Sequence, residues 1–200
     1  MAALWNKYAN TAARKHGKPG REQRPKSVTI DAHCHIAIPQ AGAYIKPYLD
    51  VTTIPLGHFA TAETKELNAK QEADIRECMT SYDQRFAIMD KMGVDIQLVM
   101  PPPPQLYHTV ALEYAVPAAT MINDGVAEFV SKHPDRFIPM GTVPMQDGNE
   151  AAKELERVMK VLKFKGVEIL TNVNGKELSD PAFAPFWKKA EELGLSLIHI

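Results

Sequence analysis

His33-Cys34-His35 closes an apolar run, Val28-Thr29-Ile30-Asp31-Ala32, that is rich in β-branched residues. In an extended strand, residues i and i+2 project to the same side, so histidines at this spacing can present both imidazoles to one ion. Neutral imidazole suits zinc and its divalent neighbours, and a strand end leaves a coordination position open to water or substrate. Asp31 is placed to orient a ring by accepting from its second nitrogen. Cys34 points to the opposite face and reads as a small packing residue. His199 ends a second apolar run, Leu195-Ser196-Leu197-Ile198, and can supply a further ligand if both strand ends meet at one edge. With seven histidines in the chain, a bare His-x-His decides little, and the competing explanation is a pair of hydrogen-bonded, inert side chains.

The elements that must position these residues alternate. Strands are predicted over 28–32, 96–100, 137–143, 166–171 and 195–199, from short β-branched apolar runs. Helices are predicted over 81–92, 111–132, 149–162 and 180–193, the last opened by an Asp-Pro start. Strand-helix alternation implies parallel pairing, in a doubly wound sheet or a β/α barrel, and periodicity alone does not separate the two. Both folds gather their functional groups at the carboxyl edge of the strands.

Composition narrows the function classes. The chain has 200 residues, 45% of them apolar, with 23 basic against 24 acidic side chains, which describes one globular domain. Near-zero net charge argues against a nucleic-acid partner. No apolar run approaches the roughly 18 to 20 residues of a membrane span. Two cysteines are too few for a disulfide framework and fit a reducing, cytoplasmic setting. Residues 1–26 hold seven basic side chains and one acid, Glu22, with Gly17, Pro19, Gly20 and Pro25 as punctuation. They read as a basic, flexible extension, and residues 27–200 as the domain.

Several stretches together carry a family resemblance: IDAHCHI (30–36), RFAIMDKMGVDIQLVMP (85–101), HPDRFIPMGTVPMQD (133–147), GVEILTNVNGKELSDPAFAPFW within 151–195, and the closing LIHI. The chain resembles the amidohydrolase-related, metal-dependent proteins typified by aminocarboxymuconate semialdehyde decarboxylase and the resorcylate decarboxylases. The resemblance implies the N-terminal portion, about five β/α units, of a (β/α)8 TIM barrel of the metal-dependent hydrolase type. It implies one divalent ion, usually zinc, held by His33, His35 and, from the fifth strand, His199. The catalytic histidine and aspartate that the family takes from later strands are expected beyond residue 200, so the isolated chain is expected to show negligible turnover. The chain departs from the family pattern at its end, where Ile200 stands in place of the usual proline.

The implied activity is non-oxidative decarboxylation of an unsaturated or aromatic carboxylic acid, a small-molecule carboxylate, by a full-length form expected to be a homodimer. The rival readings are metal-dependent hydrolysis of a lactone or amide, and a non-catalytic fragment. Other residues weigh less. His58 and His108 lie in loops after the first two strands and are expected to be solvated. Residues 36–80 read as a lid or substrate loop. Arg85 and Asp90 read as a surface or packing-edge ion pair. Pro101 to Pro104 is expected to stiffen the barrel mouth, Asn172 and Asn174 to form turns, and His133 to lie far from the chemistry.

Overall fold

The computed structural model describes residues 28–54 and 58–197. The basic extension and His199 therefore fall outside the described residues. Three parallel strands form the sheet, β1 (Ile30–His35), β2 (Ile96–Met100) and β3 (Phe137–Pro139), and their spatial order follows the chain. Three strands in that order fit either a barrel wall or half of a doubly wound sheet. The fourth segment, bridged in parallel to the chain after β3, continues the order as a barrel does, where a doubly wound sheet would place it beside β1.

The fourth position is occupied more thinly than the sequence suggests. In place of a strand over 166–171, a single parallel bridge joins Gly141 to Val167. The Gly141 N–H donates to the Gly166 carbonyl at 2.9 Å, and the Glu168 N–H donates to the Gly141 carbonyl at 2.8 Å. Beyond it the chain turns back in a hairpin, β4 (Asn172–Val173) and β5 (Lys176–Glu177). Asn174 and Gly175 make the turn, with φ of 52° and 80°, the left-handed pair that a tight hairpin demands. The fifth strand is not formed where described: residues 195–197 have no strand partner.

The four helices expected from periodicity are present within a few residues of their predicted spans, and two more fall in the segment 36–80. The first three along the chain are α1 (Pro39–Ile45), α2 (Ala62–Ile75) and α3 (Tyr82–Met92). After them come α4 (Leu112–Lys132), α5 (Gly148–Lys160) and α6 (Ala184–Glu192). Gly93, at φ 76°, ends α3 in the left-handed conformation. Asp147 caps α5 by accepting from the N–H groups of Asn149 and Glu150. A short 3-10 turn, Pro181–Phe183, takes up the start of the helix expected from residue 180.

Residues 36–80 are not the structureless lid the sequence suggests. Ala41 and Ile45 stand four apart on α1 and bury completely, so this turn joins the core with Ile122 and Val126 of α4. The second half differs, because α2 buries no side chain at all. A second cluster, built on Val143, Met145, Leu155, Phe183 and Phe186, seals α5 to α6. Among the described residues no helix is long and apolar enough to cross a membrane.

Candidate metal centre

The two histidines of β1 do converge. Their ring centroids are 4.7 Å apart and the rings stand edge to face. The strand reaches this arrangement through a bulge: Asp31 pairs with Gln97 and Cys34 with Val99, so Ala32 and His33 together face Leu98. An inserted residue of this kind bends a strand and re-aims the side chains that follow. Pro101, directly after β2, offers its carbonyl to His35 Nδ1 at 3.2 Å. Because a carbonyl only accepts, Nδ1 carries the proton there, and Nε2 keeps the lone pair a metal would need.

A third group completes the cluster. Glu168, from the extended segment beside β3, sets a carboxylate oxygen 3.9 Å from His35 Nδ1. Donor atoms of His33, His35 and Glu168 all lie within 4.8 Å of one another. The Glu168 side chain is 15% exposed and that of His35 23%. Glu168 Oε2 is buried with no hydrogen-bond partner among the described residues. Burial pushes the Glu168 carboxyl up to about 7. His35 is lowered from its usual value, chiefly by burial and then by the neighbouring His33. Each shift marks a site that disfavours its own charges when empty of a cation, and two imidazoles with one carboxylate are a ligand set that divalent metals accept. The residues present therefore fit an ion.

The placement of Glu168 depends on residues two elements away. Asn123 of α4 donates to the Thr142 carbonyl at 2.9 Å and accepts the Thr142 N–H at 2.8 Å. Its other amide hydrogen goes to Glu154 at 2.6 Å. This clasp fixes the chain at Gly141, where a Cβ would stand 2.5 Å from Asn123 Oδ1. Gly141 in turn receives the Glu168 N–H.

Several sequence expectations need correction. Asp31 does not orient a ring: Oδ1 accepts the N–H of His33 itself, and Oδ2 accepts from Gln97. Arg85 and Asp90 are not partners at the surface. Arg85 is 4% exposed and turns beneath β1, whereas Asp90 pairs with Arg136 at 3.0 Å. His108 is buried, not solvated, and neither ring nitrogen has a partner among the described residues. Burial alone pulls it down to about 4.

Asn172 lies in β4 and not in a turn, while several other expectations agree with the structure. Cys34 sits on the face away from the pair, where its sulfur accepts from Arg85 and burial raises its thiol. Asn174 serves the hairpin turn and also donates to the His108 carbonyl. His58 is exposed beside Phe59. His133 packs among Tyr82, Phe86 and Phe137 at the far end of β3.

Sequence reasoning missed Glu168. Its only signal is a lone acid inside the apolar run Gly166-Val167-Glu168-Ile169-Leu170. A carboxylate in such a run is costly to bury without a partner.

Known proteins place this geometry in a family. The sequence profile described as Amidohydrolase matches residues 30–200. The 2-amino-3-carboxymuconate-6-semialdehyde decarboxylase of Dictyostelium discoideum is 31% identical over 174 residues, covering 86% of this chain and 48% of its own length. The gamma-resorcylate decarboxylase of Polaromonas sp. strain JS666 is 30% identical, over 68% of this chain and 45% of its own. Among solved structures, the 5-carboxyvanillate decarboxylase of Novosphingobium aromaticivorans was crystallised with manganese and 4-hydroxy-3-methoxy-5-nitrobenzoic acid. It superimposes with a TM-score of 0.72 at 27% identity, over 94% of this chain and 52% of that one. The chain thus spans about half the length of the curated relatives it matches, and its β/α units are the N-terminal portion of a TIM barrel. By profile, sequence and fold, the chain belongs to the amidohydrolase family.

Proposed function

We propose that the chain carries the metal-binding part of a decarboxylase acting on a small unsaturated or aromatic carboxylic acid. The observation that carries this reading is the buried Glu168 oxygen, without a hydrogen-bond partner, turned toward two imidazoles at the carboxyl edge of the sheet. The named relatives, which are decarboxylases, support the reaction class.

His33, His35 and Glu168 would each contribute one donor atom, and by family resemblance His199 a fourth. A bound divalent ion supplies Lewis acidity that orients a carboxylate and polarises a substrate oxygen. Zinc is the metal the resemblance implies; the carboxyvanillate enzyme carries manganese, and two imidazoles with a carboxylate accommodate either. His35 is held for the task by its Nδ1–H bond to Pro101, which fixes its tautomer. Cleavage of the carbon–carboxylate bond leaves the electron pair on carbon, which must then take a proton. The resemblance assigns that proton to a histidine and an aspartate of later strands, expected beyond residue 200. The free thiols Cys34 and Cys78 fit a reducing, cytoplasmic setting.

The test is product analysis with the gene's complete product, supplied with manganese or zinc and offered hydroxylated benzoates, unsaturated amino acids and lactones. Carbon dioxide release from a carboxylic acid is the expected result. Acid release from a lactone without carbon dioxide would replace decarboxylation by hydrolysis, and turnover that survives thorough chelation would remove the metal from the reaction.

A further inference from the structure

Arg85 lies behind the strand that carries the histidine pair, almost wholly out of solvent. Its Nη2 donates to the His35 carbonyl at 2.7 Å and to the Cys78 carbonyl at 2.6 Å. Its Nη1 donates to Cys34 Sγ at 2.8 Å and to Gln97 Oε1 at 3.0 Å. Gln97 passes the connection on, since its Nε2 donates to Asp31 Oδ2 at 3.0 Å and Asp31 Oδ1 accepts the His33 N–H at 3.2 Å. One guanidinium thus fastens His35 directly and His33 through two intervening side chains.

The bulge explains why such a fastening is needed. Ala32 and His33 share one opposing residue, so the regular backbone ladder that fixes a strand's direction lapses at the first histidine. Side-chain bonds from Arg85 and Gln97 stand in its place. None of the four acceptors on Arg85 is a carboxylate, so the buried charge is held by geometry and not by an opposing charge. Burying a cation in this way is costly, and a planar fork of fixed donors is what it offers in exchange.

We propose that Arg85 is the positioning residue of the metal centre, setting the direction of the His33 and His35 donors by holding the bulged segment that joins them. The proposal rests on reading that pair as metal ligands. Cobalt(II) titration of the 200-residue chain tests it, comparing wild type with Arg85→Met, Arg85→Lys and Leu155→Ala. Leu155 is fully buried between α5 and α6, so its truncation lowers thermal stability without touching the pair.

Arg85→Met is expected to weaken cobalt binding about 10- to 100-fold and to change the shape of its visible absorption, as loss of an outer support does at metal sites. Arg85→Lys recovers part of the affinity, and Leu155→Ala leaves affinity and band unchanged. In the metal-free chain, imidazole nitrogen NMR signals of His33 and His35 move in Arg85→Met and stay in Leu155→Ala. Should Arg85→Met fail to fold, Gln97→Leu removes the Arg85–Gln97 and Gln97–Asp31 bonds, leaves the Arg85 bonds to the His35 and Cys78 carbonyls, and is expected to move the His33 signal more than that of His35. Wild-type affinity and band shape in Arg85→Met, or in Gln97→Leu unmoved ring signals, would overturn the proposal alone. A wild-type chain that binds no cobalt would overturn the metal reading and this proposal with it.

Discussion

Asn123 and Thr142 exchange two hydrogen bonds, the side-chain amide of one with the peptide group on either side of the other's Cα. The pair fastens α4 to the end of β3 and leaves no room for a side chain at position 141. Asn123→Ala strands a buried N–H and a buried carbonyl, while Glu154 keeps its Arg157 donors, and is expected to cost about 2 to 4 kcal/mol. Urea denaturation at constant slope measures it; a loss under about 0.5 kcal/mol would show the clasp to be dispensable.

Gly141→Ala tests the same contact from the other side. The added methyl collides with Asn123 Oδ1, and the expected loss is about 1 to 3 kcal/mol. Because Gly141 also receives the Glu168 N–H, this variant should weaken manganese binding as well as stability, whereas a purely structural contact would alter stability alone.

Acid should destabilise the chain through His108. Its folded value, about 4, lies below the ordinary value of 6.5, so the unfolded chain binds the proton more tightly. The stability that neutral His108 permits is complete above pH 6.5 and is lost as the pH falls toward 4, by about 3 kcal/mol across that window. His108→Leu should flatten this acid limb in urea midpoints recorded from pH 7 to pH 4. An unchanged limb would assign it to other groups.

Glu168 should show opposite signs in two measurements. Without metal, its partnerless buried carboxylate burdens the fold, so Glu168→Leu is expected to raise the urea midpoint at neutral pH. The same substitution removes a donor and should lower manganese affinity at least tenfold. Loss of both stability and affinity would indicate a packing role instead.

What could be read from sequence was local. The β1 pair was legible because i, i+2 spacing survives even a bulge at its first member, and the long helix came within one residue of its observed start because its apolar stripe is continuous. Arg85 was not legible, since helical spacing shows only that it shares an element with Asp90. That it bonds the carbonyls of His35 and Cys78 depends on how α3 lies against β1. Glu168 was hidden for a similar reason: its neighbourhood is set by pairing through Gly141, a contact between distant parts of the chain. The segment 36–80 misled because Ala41 and Ile45 make too short a stripe to stand out, although both bury in the core that α4 shares.

The central claim is that His33, His35 and Glu168 hold one divalent ion. Elemental analysis of the purified chain, loaded with manganese and freed of excess by gel filtration, measures it directly. About one equivalent in the wild type, and none in a His33→Ala, His35→Ala double variant of unchanged circular dichroism, is the expected result. Equal metal in both proteins, or none in either, would contradict it.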